Sequence, residues 1–431
     1  MNKVLIKNGT LILPQSNRTI EADVLIDDGV IVQIEPGIND GKAERINASG
    51  YLVGPGFINL HVHFREPGEE KKEDLFSGSR AAVKGGFTSV LCMPNTRPPI
   101  DSPLLISYLL SRAREVGLVN VFSAATISLG LEGKAMTDLG LLMNAGAKAL
   151  SDDGKCVKDS RLLYLLMTYS RYFHLPIILH EEDIDIAGEG QVNEGSMAVK
   201  MGYRSLPKVA EDSMIARDLV LAHSTGATVH FTHLSTALSV KLIEWFQNQG
   251  AKVTADVTPH HLLLDDQSII QYGSRAKVKP PLRDQTDIVA LKEGIQRGVI
   301  GILASDHAPH TNEAKEGDFN EAAFGISNLE ITVPLYVKAL IDDQSISWLD
   351  FWKLLSFNPA QFLGLTKKGS LEIGMDADIA IIDPETHHEV KVNEFVSKGK
   401  NCPFDGWQLK GWPVTTIVNG KILMRHSKLE A

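Results

Sequence analysis

Two rhythms of apolar and polar positions run along this 431-residue chain. Near both ends the rhythm has period two. VLIKNGTLIL (4–13), ADVLIDDGVIVQIE (22–35) and YLVGPG (51–56) alternate and are punctuated by Asn-Gly or Asp-Gly. GSLEIGMDADIAIID (369–383) and TTIVNGKILM (415–424) repeat that style. Alternation gives each strand one apolar face, and Asn-Gly or Asp-Gly supplies the backbone of a tight turn. Each end is thin for a domain by itself. The pattern therefore predicts one small β-sandwich built from residues 1–53 and 368–431, with the middle of the chain inserted between them.

In the middle, residues 54–367, short apolar runs alternate with amphipathic or alanine-rich stretches. The expected strands are GFINLHVHF, FTSVLCM, VNVFSAA, AKALS, PIILH, ATVHFTH, KVTADVT and VIGILAS. SGSRAAVKGG, EDSMIARDLVLAHSTG and TALSVKLIEWFQNQG have the longer period of helices. Eight strands is the number that closes a barrel, so the predicted class is α/β, a (β/α)8 TIM-like barrel. A doubly wound open sheet would carry an early Gly-rich phosphate loop, and the chain has none.

Composition narrows the partners. Hydrophobic residues make up 43% and charged residues 22%, which suits a large buried core. Net charge is −10 and there is no dense Lys/Arg tract, so neither nucleic acid nor an anionic membrane is an expected partner. The opening MNKVLIKNGTLIL has no apolar core of a secretory signal, and no stretch approaches the roughly 18 apolar residues of a membrane span. Cys92, Cys156 and Cys402 are few, odd in number and far apart, which makes no disulfide framework. The expected compartment is the cytoplasm.

Residues able to bind metal fall where several of these strands end. The first strand ends in His61 and His63, and side chains two apart on a strand share a face. The fourth ends in Asp152 and Asp153, the fifth in His180, and the eighth runs into Ser305-Asp306-His307. The sixth carries His230 and His233. A barrel brings these C-terminal strand ends to one mouth, where such folds place their chemistry. In VHFTH, positions 229, 231 and 233 share one face, two of them apolar. His230 lies on the other, packed toward a helix or hydrogen-bonded in the core. His233, at the strand's lip, is the expected ligand. Parity does not choose between Asp152 and Asp153, because a strand end is fixed only to within a residue or two.

His61, His63, His180, His233, one fourth-strand aspartate and Asp306 make six ligands. That is too many for one tetrahedral zinc and enough for two ions sharing a carboxylate and a hydroxide. Imidazole with carboxylate and no thiolate fits Zn2+ ahead of Mn2+, Co2+ or Fe2+. Asp306 can take up and return a proton. Two divalent ions against two aspartates leave a site charge of about +2. Arg65 adds a guanidinium, and Asn95 and His310 add donors. An anionic, carboxylated substrate follows, with Arg65 as a two-pronged grip. The competing assignment for Arg65 is an ion pair with Glu66 or Glu69. TNEAKEGDFNEAAFG (311–325) is polar and weakly periodic, and is expected to form a loop or lid over the mouth.

HVHFREPGEEKKED, GGFTSVLCMPNTRP, SDDGKCVKD, HEED, THLST, VTPHHLLL, KPPLR, ASDHAPHT and FGISNLE occur in this order. Together with the tail pieces GMDADIAIID, SKGKNCPFDGW and IVNGK, they make the chain resemble the separate-chain bacterial dihydroorotases of the amidohydrolase superfamily. The resemblance covers essentially the whole chain. It implies a zinc enzyme of pyrimidine synthesis that interconverts N-carbamoyl-L-aspartate and L-dihydroorotate by metal-bound hydroxide. Carried over motif by motif, the metal ligands are His61, His63, Asp153, His180, His233 and Asp306. Two zinc ions per subunit would be bridged by Asp153 and hydroxide, and Asp306 would shuttle the proton. His63, Arg65, Asn95, His310, Phe324 and Gly325 match substrate-contacting positions. Lys279 departs from the family pattern, which has asparagine there, and it is kept as a substrate-binding residue of altered geometry. The resemblance further implies a homodimer and allows association with aspartate transcarbamoylase. The rivals are a hydantoinase or allantoinase, which tend to have lysine at the fourth strand and lack the Arg65 motif, and a metal-free homologue acting in assembly.

Overall fold

Residues 3–430 are described by a computed structural model; residues 1, 2 and 431 of the expected terminal segments lie outside the described residues. Eight strands form the inserted barrel: Phe57–Val62, Phe87–Cys92, Asn120–Ala125, Ala147–Leu150, Ile177–Leu179, Val229–Phe231, Val253–Val257 and Ile302–Leu303. Each pairs in parallel with the next. The ring closes between the first and last. His63 N donates to His307 O at 3.0 Å, and Asn59 Nδ2 donates to Ser305 Oγ at 2.6 Å. All eight expected strands are present, shorter than the apolar runs that announced them.

The strands are apolar on both faces because both are covered. Ile58, Leu60, Leu91, Ala124, Ile178 and Ile302 fill the interior, and Ala360, Phe362 and Leu363 pack under them to close the barrel's foot. Phe57, Val90, Ile177, Val229, Phe231 and Val253 face outward into the layer shared with the helices. Several of those helices begin where a short polar side chain satisfies free amides. Asp74 and Ser77 form a reciprocal cap on Leu75–Lys84, Asp159 caps Ser160–Phe173, and Thr236 caps Ala237–Asn248.

Strands from both termini join one nine-stranded sheet. Its hinge is Leu52–Pro55, parallel to Lys3–Leu13 on one side and antiparallel to Ile379–Asp383 on the other. The sheet surrounds its own apolar cluster, which includes Val4, Ile6, Val24, Val53, Ile379 and Ile417. Asp28-Gly29 and Asn419-Gly420 are turns with positive φ, as their sequences predict, and Ala377 links them by accepting from Gly420 N and donating to Gly29 O. Asn8-Gly9 is different. It lies inside one continuous strand, where the pairing register shifts between Ile6 and Gly9, so the pair makes a bulge rather than a turn. Leu371–Ile373, read as strand from alternation, lies outside the strands. Within the expected terminal segment, Val390, Val392, Phe395, Cys402, Phe404 and Leu409 leave the sheet. They share a cluster with Val278, Leu282, Phe319 and Ile326 from the loops of the barrel's mouth.

Candidate active site

The first strand aims its histidines by breaking its own alternation. Ile58 and Leu60 point into the barrel, so strict parity would turn His61 outward. The pairing register shifts between Asn59 and Val62, and Asn59 Oδ1 accepts from His61 N at 3.0 Å. Val62 then joins the outer layer, and His61 and His63 face the centre. His180 follows directly on its strand. His233 and Asp306 lie just beyond theirs with φ of 39° and 45°, left-handed conformations that redirect the side chain at the lip. Parity thus did not place His233, because the strand ends at Phe231. His230 is hydrogen-bonded to Thr254 and Asp256 within the barrel, and its ring also packs on Phe362 of helix Asn358–Phe362.

The six donors meet. His61 Nε2 lies 3.2 Å from Asp153 Oδ1 and 3.5 Å from Asp306 Oδ1. His63 Nε2 lies 3.1 Å from Asp306 Oδ1 and 3.6 Å from Asp153 Oδ2. His180 Nδ1 is 3.0 Å from His233 Nε2 and 3.9 Å from Asp153 Oδ1. Asp152, the neighbour that parity left open, turns away and accepts from the amides of Ile127 and Ser128. His61, Asp153 and His233 form one group that can hold a metal ion, and His61, His63 and Asp306 form another. All six residues are buried, and His61 Nε2 and Asp153 Oδ1 have no hydrogen-bond partner. Buried polar atoms without partners are costly, so the pair marks a place built for something else to bind.

The electrostatics agree. Burial disfavours the charged form of every group here. At His61 the carboxylates of Asp153 and Asp306 outweigh burial and raise the pKa to about 9. Asp153 is held well below the ordinary carboxylate range against burial, chiefly by His61. Asp306 is held low in the same way, with the His63 hydrogen bond first. Burial, then the neighbouring His180, pushes His233 down to about 3. His63, His180 and His233 are pushed toward the neutral form, and the proton held on His61 between two firmly anionic carboxylates stands where a divalent cation would take its place. His61 Nδ1 lies 2.8 Å from Thr232 Oγ1, which in turn donates to Asp256 Oδ2 at 3.0 Å. That relay lets Nδ1 donate and leaves the Nε2 lone pair for a ligand.

Above the donors is a cavity of about 320 Å3 lined by Arg65, Asn95, Lys279, His310, Phe324 and Gly325, among others. Asn95 Oδ1 is 3.0 Å from His63 Nδ1, and its Nδ2 donates to Asp153 Oδ2 at 3.0 Å. Arg65 is buried with φ 58°, its Nη2 3.4 Å from His310 Nε2. No salt bridge joins it to Glu66 or Glu69 among the described residues, and Glu66 pairs with Arg112 instead. Lys279 Nζ lies 2.7 Å from Glu182 Oε1 and 5.5 Å from the Phe324 ring centre.

Sequence reasoning missed the groups that hold this rim. Lys315, buried, donates to Lys277 O at 3.3 Å, Ala323 O at 2.7 Å and Gly325 O at 3.0 Å. Lys277 Nζ donates to Phe319 O at 2.7 Å. Two lysines thus pin segment 311–325 through its backbone carbonyls. Asn401 Nδ2 donates to Ala308 O and Gly325 O from the far end of the chain. Asn401 lies in the motif SKGKNCPFDGW, but nothing in that motif or around Lys277 and Lys315 says which distant carbonyls they would meet.

A family model described as "Amidohydrolase family" matches residues 52–423. A dihydroorotase from Ruminiclostridium cellulolyticum is 42% identical over 427 residues, 99% of this chain and 100% of the relative. One from Acetivibrio thermocellus is 40% identical over 426 residues, again 99% and 100%. Among solved structures, an L-hydantoinase (dihydropyrimidinase) from Arthrobacter aurescens has a TM-score of 0.88 at 26% identity, covering 100% of this chain and 98% of its own. A dihydropyrimidinase from Brevibacillus agri has a TM-score of 0.86 at 23% identity, covering 99% and 96%. These structures share the fold.

Proposed function

The chain belongs to the dihydroorotases of the amidohydrolase family, and from that premise we propose that His61, His63, Asp153, His180, His233 and Asp306 hold two zinc ions, and that Asp306 carries the proton in interconverting N-carbamoyl-L-aspartate and L-dihydroorotate. The reading rests on one observation above the others. Six donors from five strand ends converge, with His61 Nε2 and Asp153 Oδ1 buried, 3.2 Å apart and hydrogen-bonded to no group. Divalent ions bound there would supply Lewis acidity toward an amide carbonyl and make a bound water reactive near neutral pH.

The chain's own residues do the rest. Asp306 is anionic and stands between the donor cluster and the open cavity, where it can accept a proton and return it to the ring nitrogen that leaves. Arg65 and Asn95 grip the carboxylate outside the ring, and His310, whose Nδ1 has no partner, adds a polar contact. The Phe324-Gly325 backbone forms the wall against which the ring lies flat. Lys279, paired with Glu182, presents a neutralised couple where the family has an amide, so it contributes shape more than charge. The same family reading proposes the cytoplasm as compartment, a homodimer as working form, and aspartate transcarbamoylase as a partner to test by co-purification.

The test is a side-by-side assay of dihydroorotate, hydantoin and allantoin on zinc-loaded protein, before and after chelation. Turnover of dihydroorotate alone is expected, lost on chelation and restored by zinc. Preferential turnover of hydantoin, or dihydroorotate turnover in metal-free protein, would sink the proposal.

A further inference from the structure

At the opposite end of the barrel, where the strands begin, lies a cavity of about 790 Å3, against about 320 Å3 at the mouth. It opens between the end of helix Ser160–Phe173, the starts of the fifth to eighth strands, and the segment that closes the foot. The charged residues on its wall are Arg171 and Lys252, both solvent-exposed, with the His174 imidazole also in the lining and no carboxylate. Arg171 Nη1 donates to Thr225 O at 2.7 Å, and a cation at the carbonyl end of a helix needs no ligand to explain it. Lys252 belongs to no helix. Among the described residues, neither it nor His174 has a salt bridge or a side-chain hydrogen bond. In a chain of net charge −10, a cavity whose only charges are cations selects an anion. Tyr172, itself exposed, and Phe362 add aromatic rings to the lining.

The cavity also touches a continuous chain of hydrogen bonds. Thr254, on its wall, has Oγ1 2.8 Å from His230 Nδ1, and Phe362 has its ring centre 5.1 Å from the His230 ring. His230 Nε2 lies 2.8 Å from Asp256 Oδ2, the oxygen that also accepts from Thr232. Thr232 holds His61 Nδ1, and Asp256 Oδ1 accepts from His233 N at 2.6 Å. Groups behind a ligand histidine fix its orientation and basicity.

We propose that the cavity at the barrel's foot is a second binding site, for a small ring-bearing anion, and that its occupancy is felt at His61 and His233 through His230, Asp256 and Thr232. Contact alone is a route; coupling is what an experiment measures. The probe is 1-naphthalenesulfonate, a ring-bearing anion that is a poor metal ligand. Calorimetric titration of the metal-loaded enzyme is expected to show saturable binding. Lys252→Glu and His174→Asn, the latter at a left-handed position that asparagine tolerates, should each weaken it roughly tenfold, the worth of one charge-assisted contact. Both variants should keep wild-type turnover without the probe. Saturating probe should change the half-time of metal loss to EDTA by about twofold or more in the wild type, and in Lys252→Glu the same change should require about tenfold more probe. No saturable binding, or binding that both variants leave intact, overturns the site. A half-time indifferent to saturating probe overturns the coupling. Calorimetry needs no turnover, so this result stands apart from that of the substrate assay.

Discussion

Asp306, His233 and Arg65 share a backbone oddity: each is a non-glycine residue with φ between 39° and 58°. Such conformations cost on the order of 1–3 kcal/mol apiece and persist only where the surroundings hold them, as they do at this rim. Strain of this kind is spent on direction, and direction is what each residue contributes. Replacing Asp306 with Asn keeps the shape and removes the proton acceptor. Turnover should fall by roughly 10²–10⁴-fold while metal content by atomic absorption stays near wild type; undiminished turnover would refute its role. Lys315 reaches the mouth only through the backbone it ties down. Lys315→Met should leave three carbonyls without their ammonium and raise KM for dihydroorotate by about tenfold or more, the worth of one hydrogen bond to a charged group. A kcat loss with unchanged KM would instead place Lys315 in folding alone. At this scale the residue types were legible and their directions often were not. Asp152 and Asp153 are chemically equal in sequence; only the loop amides of Ile127 and Ser128 claim one of them.

Strands were legible because their apolar runs are buried on both faces, but their ends were not. The sixth stops at Phe231, two residues before His233, and the first slips register just ahead of His61. Such irregularities answer to neighbouring strands, which local alternation does not record. The junction between sheet and barrel is the tightest of these places. Gly54 lies in Leu52–Pro55, and a Cβ there would fall 2.0 Å from Trp352 Nε1, the indole that donates to Pro55 O at 3.1 Å. Gly54→Ala should destabilise the fold by about 1–3 kcal/mol through forced overpacking, read as a lower urea midpoint. An unchanged midpoint would mean that Trp352 moves aside freely. Asn8-Gly9 teaches the converse: its sequence signals a turn, and it became a bulge because the strand continues along Val53, whose Cγ2 would lie 2.6 Å from a Cβ at Gly9.

Across the whole molecule, two ends of the chain meet in one sheet and a segment near the C-terminus returns to brace the mouth through Asn401. The proposed metal centre would tie together strand ends from His61 to Asp306, so metal should act as a staple on the native state. Ions bound a thousandfold above their dissociation constant add about 4 kcal/mol to stability. Chelation should lower the melting temperature, and zinc should restore it in a concentration-dependent way; a melting curve indifferent to metal would argue that the six donors bind none. The sequence by itself determined the alternation of strand and helix, the count of eight, the pairing of the two ends and the donors stationed at strand ends, because these follow from local periodicity and residue chemistry. Motif resemblance, and not periodicity, selects Asp153 over Asp152. The tertiary structure alone decided which lysines hold the rim, where residues 390–409 dock and that a cavity lined by Arg171 and Lys252 lies under the barrel. Those depend on register, closure and contacts between residues far apart in the chain, and no window of sequence contains both partners.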